Sequence, residues 1–192
     1  MHSRRGFIIP VLTWIFNKFS FVSPLTWIRC LAKRFGRSWG WSPLFVEIYV
    51  LVTFSLLCFF VWWVYISELL CVAIAGYAIW RLVDILQAWF NTFKDPDIQA
   101  SSSLRSLVLA AINYLELTMI FGLLAFFFRH DNFYPEFANI RESLRYSIGV
   151  ITTMGSHFDP ASWVGGIIYY SEIAFGLSFL VVIVTRILSY FK

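Results

Sequence analysis

The sequence predicts an all-α integral membrane protein with four transmembrane helices per subunit. Three observations carry that prediction. Of the 192 residues, 59% are apolar, 20% are aromatic and only 14% are charged, whereas a soluble domain carries roughly a quarter charged residues. Four apolar runs are each long enough to cross a hydrocarbon core of roughly 30 Å at about 1.5 Å per residue. The basic residues are distributed unequally about those runs, as they are in membrane proteins with a fixed orientation. The density of Phe and Trp fits lipid contact and the headgroup interface.

Residues 1–43 form a basic N-terminal segment. They hold Arg4, Arg5, Lys18, Arg29, Lys33, Arg34 and Arg37 out of 15 Lys and Arg in the chain, and no acid; the first carboxylate is Glu47. Positive charge beside the first span marks the cytoplasmic side. Residues 7–22 are apolar but short for a span, are interrupted by Asn17 and Lys18, and are followed by no small-residue cleavage pattern, so they do not read as a signal peptide. Ser23 is a good N-cap, with Pro24 at the first helical position. Leu25, Ile28, Leu31, Ala32 and Phe35 then recur at helical spacing, with Arg29, Lys33, Arg34 and Arg37 largely opposite. This pattern predicts an interfacial amphipathic helix with its basic face on anionic lipid headgroups. The interleaved Leu, Trp and Phe argue against nucleic acid as the partner.

Residues 44–103 form a peripheral two-helix hairpin with its connector. The first span is Leu44–Ile66. Ser67-Glu68 leaves almost no loop, so the second span, Leu69–Phe90, is expected to return antiparallel against the first. Asn91–Ser103 reads as a polar connector with Asp95-Pro96-Asp97 as its turn signal. Residues 104–192 hold the third span, Leu104–Phe128, and the fourth, Trp163–Tyr190. Four crossings put both termini in the cytoplasm. Only Arg129, Arg141 and Arg145 then fall outside, with Arg81 inside a span, so topology and charge agree. No Gly-rich phosphate loop, nucleotide motif or voltage-sensor spacing of Arg and Lys is present.

Between the third and fourth spans lies Tyr146–Pro160, YSIGVITTMGSHFDP, too short and too polar to cross a bilayer. Asn139 can cap a helix, and Glu142 at its third position completes a capping box, which predicts a helix from Ile140 to about Thr152. Beyond it, TTMGSHF has neither helical nor strand periodicity. Irregular backbone at membrane depth is tolerated only where protein buries it or where it lines a water-filled cavity. A re-entrant loop of this kind presents carbonyl and threonine hydroxyl oxygens, hard ligands that can replace the water around an alkali cation. The helix C-terminus adds a negative dipole end.

These residues resemble the pore module of the potassium channel family: outer helix, pore loop and inner helix. The family's loop reads Thr-Thr-(Val/Leu)-Gly-Tyr-Gly-Asp-x-x-Pro, and this chain reads Thr152-Thr153-Met154-Gly155-Ser156-His157-Phe158-Asp159-Pro160. Tyr146-Ser147 matches the aromatic-Ser pair of the pore helix. YYSEIAFGLSFLVVIVTRIL resembles the inner helix of small bacterial members, with Gly176 at the place of the gating hinge. The resemblance covers residues 104–192 and implies a homotetramer, since each copy supplies one pore loop and four surround an axis. It also implies a bacterial inner membrane location and monovalent cations as permeant ions, with no other cofactor. By this likeness Thr152 to His157 are the selectivity filter, and Phe158 and Asp159 the outer mouth. The departures limit the match. Ser156 and His157 replace the family's Tyr-Gly, and one residue is missing before Pro160. A glycine there supplies a backbone conformation that residues with a Cβ resist. Only the inner sites, from Thr153, Met154 and Gly155, are expected to form, with weak potassium/sodium selectivity. His157 is open to two readings, a titratable ring at the mouth or an ordinary residue pointing away from the axis.

Glu47, Arg81, Asp84, Glu116 and Glu172 fall within predicted spans, where an isolated charge is costly. Arg81 and Asp84 are three apart and can pair. Counting turns puts Arg81 and Glu116 at similar depth, so Arg81 can tie the hairpin to residues 104–192. Glu47 can snorkel at the end of its span. Glu172 can face a cation-filled cavity, or hydrogen-bond to the pore helix or a neighbouring subunit. His2, His130 and His157 are scattered, which gives no catalytic metal pattern, and no enzyme is expected. Cys30, Cys58 and Cys71 read as packing residues. Three functions remain open: a passive cation channel, a non-conducting scaffold or regulatory subunit of channel-like fold, and a depolarising effector activated by a protein partner.

Overall fold

The computed structural model describes residues 43–66, 70–94 and 103–190. The expected interfacial helix, its lipid-headgroup contact and Cys30 lie outside the described residues, as does the turn at Ser67-Glu68. Among the described residues four helices are long and apolar enough to cross a membrane: α1 (Pro43–Ile66), α2 (Cys71–Lys94), α3 (Ser103–Phe127) and, after a shorter α4 (Ile140–Ile151), α5 (Trp163–Tyr190). This is a membrane protein. Pro43 occupies the first position of α1, where its missing N–H costs nothing and its fixed φ suits the helix. The apolar windows Leu44–Ile66, Leu107–Phe127 and Trp163–Val181 fall inside the runs expected from sequence.

One boundary, one added element and one arrangement differ from expectation. Helix α2 continues through Lys94, so Asn91–Lys94 are helical and not connector. No Gly or Pro interrupts that stretch, and the first strong stop is Pro96, which disfavours helix at the residue before it. A two-residue antiparallel ladder, β1 (Phe133–Tyr134) with β2 (Asp159–Pro160), pairs Phe133 with Pro160 and Tyr134 with Asp159. The fold is therefore not purely helical. The first two helices do not form a closely packed hairpin either. Both settle their backbones against α3 more closely than against each other, and long side chains bridge the two, Tyr49 to Asp84 and Phe60 to Tyr77 with ring centres 5.0 Å apart.

Side-chain periodicity gives the reason. On α1 the buried residues are Val50, Thr53, Leu57 and Val64, one stripe at helical spacing. On α2 Ile74, Ala78, Arg81, Asp84 and Ile85 are buried. Polar members of both stripes find partners on α3, described below. Helix α3 is thus the hub, with Leu117, Ile120, Phe121 and Leu124 in the core. The outward face of α1 carries exposed Ile48, Leu51, Val52, Phe59, Trp62 and Tyr65, the composition of a lipid-facing surface.

Candidate functional site

Helix α4 is built from its cap upward. Asn139 is extended (φ −156°, ψ 167°), and its side-chain oxygen accepts from the N–H groups of Arg141 and Glu142, at 3.0 and 3.2 Å. Glu142 reaches back one residue further than in the usual capping box, where its partner is the N-cap's own N–H; here the N–H of Ala138 donates to its Oε2 at 2.8 Å. The amphipathic pattern then sets the orientation. Ile140, Ser143, Tyr146, Ser147, Val150 and Ile151 are buried against α3 and α5, while Arg141, Arg145 and Ile148 are exposed. The Arg141 guanidinium sits 4.4 Å from the centre of the Tyr65 ring on α1.

Two contacts fix how far α4 runs along its neighbours. The Tyr114 hydroxyl on α3 donates to the Ile151 carbonyl at 3.0 Å. On α5, Gly176 lies against Ile151 so closely that a Cβ would stand 2.8 Å from the Ile151 carbonyl oxygen. Tyr114 lies thirteen residues before the end of α3 at Phe127, and Gly176 thirteen residues after the start of α5 at Trp163. That places the end of α4 about 20 Å along both flanking helices.

The chain then turns sharply. Thr152 is the C-cap, and Thr153 follows with φ 59°, the left-handed position that usually holds glycine at a helix end. For a β-branched residue this conformation is strained. The N–H of Thr153 donates to the Val150 carbonyl at 3.0 Å, and the N–H of Gly155 to the Gly149 carbonyl at 3.1 Å. Gly155 has φ 86°. Its carbonyl oxygen lies so close to Gly149 that any side chain at 149 would collide with it. Of the three inner carbonyls expected from Thr153, Met154 and Gly155, that of Gly155 is therefore turned onto α4. Thr152 and Thr153 are exposed, and the Met154 side chain is 85% exposed.

The outer half of the loop is anchored by aromatic packing. Phe158, expected at an open mouth, is 4% exposed and packs on Phe137 with ring centres 4.5 Å apart. Phe137 and Phe133 both meet Tyr146 at 5.3 Å. One cluster thus joins the segment before α4, α4 itself and the segment after it. Phe158 is a core residue, because the chain pairs Asp159 and Pro160 with Tyr134 and Phe133 directly after it and so carries Phe158 inward onto Phe137. His157 is exposed, with its ring 4.0 Å from that of Phe158. The Ser156 hydroxyl oxygen accepts from the N–H of Phe158 at 3.1 Å, and Asp159 is exposed on β2.

Glu172 is completely buried and hydrogen-bonded to Ser147 of α4. Gly176 has a packing role, since α5 passes the end of α4 there as one uninterrupted helix. The intramembrane charges come together on the other side of α3. Arg81 is paired with Asp84, and its other terminal nitrogen lies 2.6 Å from Glu116. The Tyr49 hydroxyl donates to Asp84 at 2.8 Å, and the Thr53 hydroxyl is shared between Glu116 and the Val50 carbonyl, each at 3.0 Å. Sequence reasoning missed Tyr49 and Thr53; their spacing of four on one face of α1 was the available signal. It also left Glu47 without a partner, whereas Arg105 of α3 lies 2.6 Å from it.

Among the described residues no group of three or more His, Cys, Asp and Glu is placed to hold a metal ion. Compared with known proteins, the chain matches no family model, no curated protein and no solved structure.

Proposed function

We propose that this chain is one subunit of a homotetrameric cation channel that passes monovalent cations passively and discriminates weakly between potassium and sodium. The observation that carries the reading is the exposed turn Thr152–Gly155, lying about 20 Å along both flanking helices. Backbone of this kind does not face lipid at such depth; it is covered by protein or lines water. Four copies around an axis satisfy that requirement, with the turns facing a shared aqueous path. The Thr152 and Thr153 hydroxyls and the free carbonyls would supply hard oxygen ligands, and the C-terminal end of α4 a negative potential. The resemblance of Thr152-Thr153-Met154-Gly155 to the potassium channel loop supports the same assignment. Weak selectivity follows from Ser156-His157, which removes the outer part of the ligand series. In this reading Gly176 is the candidate gating hinge, and both termini lie on the cytoplasmic side.

One observation favours a second reading, a non-conducting scaffold of channel-like fold. The Gly155 carbonyl packs on Gly149, which withdraws one ligand from the path. Purified protein in liposomes under opposed potassium and sodium gradients separates the two. The channel reading expects cation flux with a reversal potential between the two equilibrium potentials. Reversal at the potassium equilibrium potential would show that the outer ligands are not needed for selectivity. Four-fold particles with no flux at any pH or membrane tension would leave the scaffold.

A further inference from the structure

We propose that Glu172 is held as a neutral carboxylic acid and is a positioning residue, donating its proton to Ser147 and so fixing α4 between α3 and α5. The inference comes from counting protons. The Ser147 hydroxyl oxygen lies 2.7 Å from the Thr118 carbonyl oxygen and within hydrogen-bond distance of Glu172 Oε1. A serine hydroxyl carries one proton, and a backbone carbonyl can only accept. With that proton directed to Thr118, the Glu172 contact has none unless the carboxyl supplies it. The Thr118 hydroxyl cannot, because it is engaged with the Tyr114 carbonyl at 3.1 Å.

The surroundings agree. Glu172 has 0% exposure. Its second oxygen, Oε2, is buried with no hydrogen-bond partner, a far greater cost for an ionised carboxylate than for an acid's carbonyl oxygen. The group in hydrogen-bond contact with it is Ser147 on α4, which carries no charge. No ion pair reaches it among the described residues, whereas Asp84, Glu116 and Glu47 all have an arginine. The chain Glu172 to Ser147 to Thr118 then runs in one direction across three helices. It clamps α4 five residues before the exposed turn begins at Thr152.

This inference rests on side-chain geometry and not on ion conduction, so it stands or falls independently of any flux measurement. The test is infrared difference spectroscopy on the full-length protein at neutral pH, wild type minus E172Q. A carboxylic-acid C=O stretch lost in E172Q is expected, and in the S147A variant that band should move to higher wavenumber as its hydrogen bond is lost. Thermal unfolding gives the second readout: E172Q, neutral and able to donate from its amide, should stay near wild type while E172A loses thermal stability. A carboxylate band in place of the acid band would overturn the proposal, as would E172Q unfolding like E172A with no acid band altered by S147A. If E172Q does not fold, the wild-type minus S147A spectrum decides: a shifted acid band supports the proposal, and its absence overturns it.

Discussion

The Arg81 cluster and the Thr152–Gly155 turn both place polar groups inside the apolar length of the molecule, and they are built in opposite ways. In the cluster every carboxylate has a cation and a hydroxyl: Asp84 has Arg81 and Tyr49, Glu116 has Arg81 and Thr53. It is buried and joins three helices. The turn is exposed, holds a β-branched residue at φ 59° and leaves Met154 bare. Satisfied polar groups at depth serve cohesion, since breaking one partner leaves a buried charge. Exposed, strained backbone is costly wherever lipid would face it, and it is tolerated at depth only where protein buries it or it lines water.

The first way to break the comparison is to remove the cation. Arg81→Met leaves Asp84 and Glu116 buried without a counter-charge and should destabilise the protein by about 3–5 kcal/mol, read as a lower unfolding midpoint in detergent. Adding Asp84→Asn and Glu116→Gln should recover much of that loss. If the triple variant is no better than the single one, the arginine acts by packing and not by charge.

A smaller loss should follow where α4 meets α5. Gly176→Val places a side chain against the Ile151 carbonyl oxygen and should cost about 1–3 kcal/mol by the same unfolding measurement. If Gly176 serves only as a hinge, stability would be unchanged and flux alone would alter.

Asn139→Ala removes the acceptor for two N–H groups at the start of α4 and should cost about 1 kcal/mol. Hydrogen exchange should be faster at Arg141 and Glu142 and unchanged in α1. Unchanged exchange at Arg141 and Glu142 would show that Asn139 does not protect those two N–H groups.

The smallest effect has the opposite sign and sharpens the contrast most. Thr153→Gly relieves the left-handed strain, worth about 1–2 kcal/mol, against the extra freedom glycine has when unfolded, about 0.5–1 kcal/mol. A net gain of a few tenths to about 1 kcal/mol in stability is expected, together with altered or lost cation flux in liposomes. A stability loss would mean that the Thr153 side chain contributes packing that outweighs the strain.

Much of this fold is legible in local sequence because the determining forces are local. The four apolar runs declare themselves by length, and Asn139 with Glu142 marks the start of α4 by residue type and spacing alone. The aperiodicity of TTMGSHF foretells an irregular turn. Even the proximity of Arg81 and Glu116 can be read by counting turns from the ends of two spans. Tyr49 and Thr53 escaped such counting, as did the pairing of Glu47 with Arg105. Depth along a helix follows from residue number, but the rotation of one helix against another does not.

The contacts between helices follow from that distinction. Whether α1 packs on α2 or on α3 depends on which stripe finds polar partners across the interface, and Glu116 on α3 supplies them. The burial of Phe158 depends on Phe133, Phe137 and Tyr146 meeting it from three different segments. The turning of the Gly155 carbonyl depends on Gly149, six residues back, leaving its flank open. Composition, periodicity and capping are properties of one stretch of chain, and they suffice to read four apolar spans with a capped helix between the last two. Partner choice, carbonyl direction and the proton assigned to Glu172 arise only where separate stretches meet, because each depends on an atom that another helix brings.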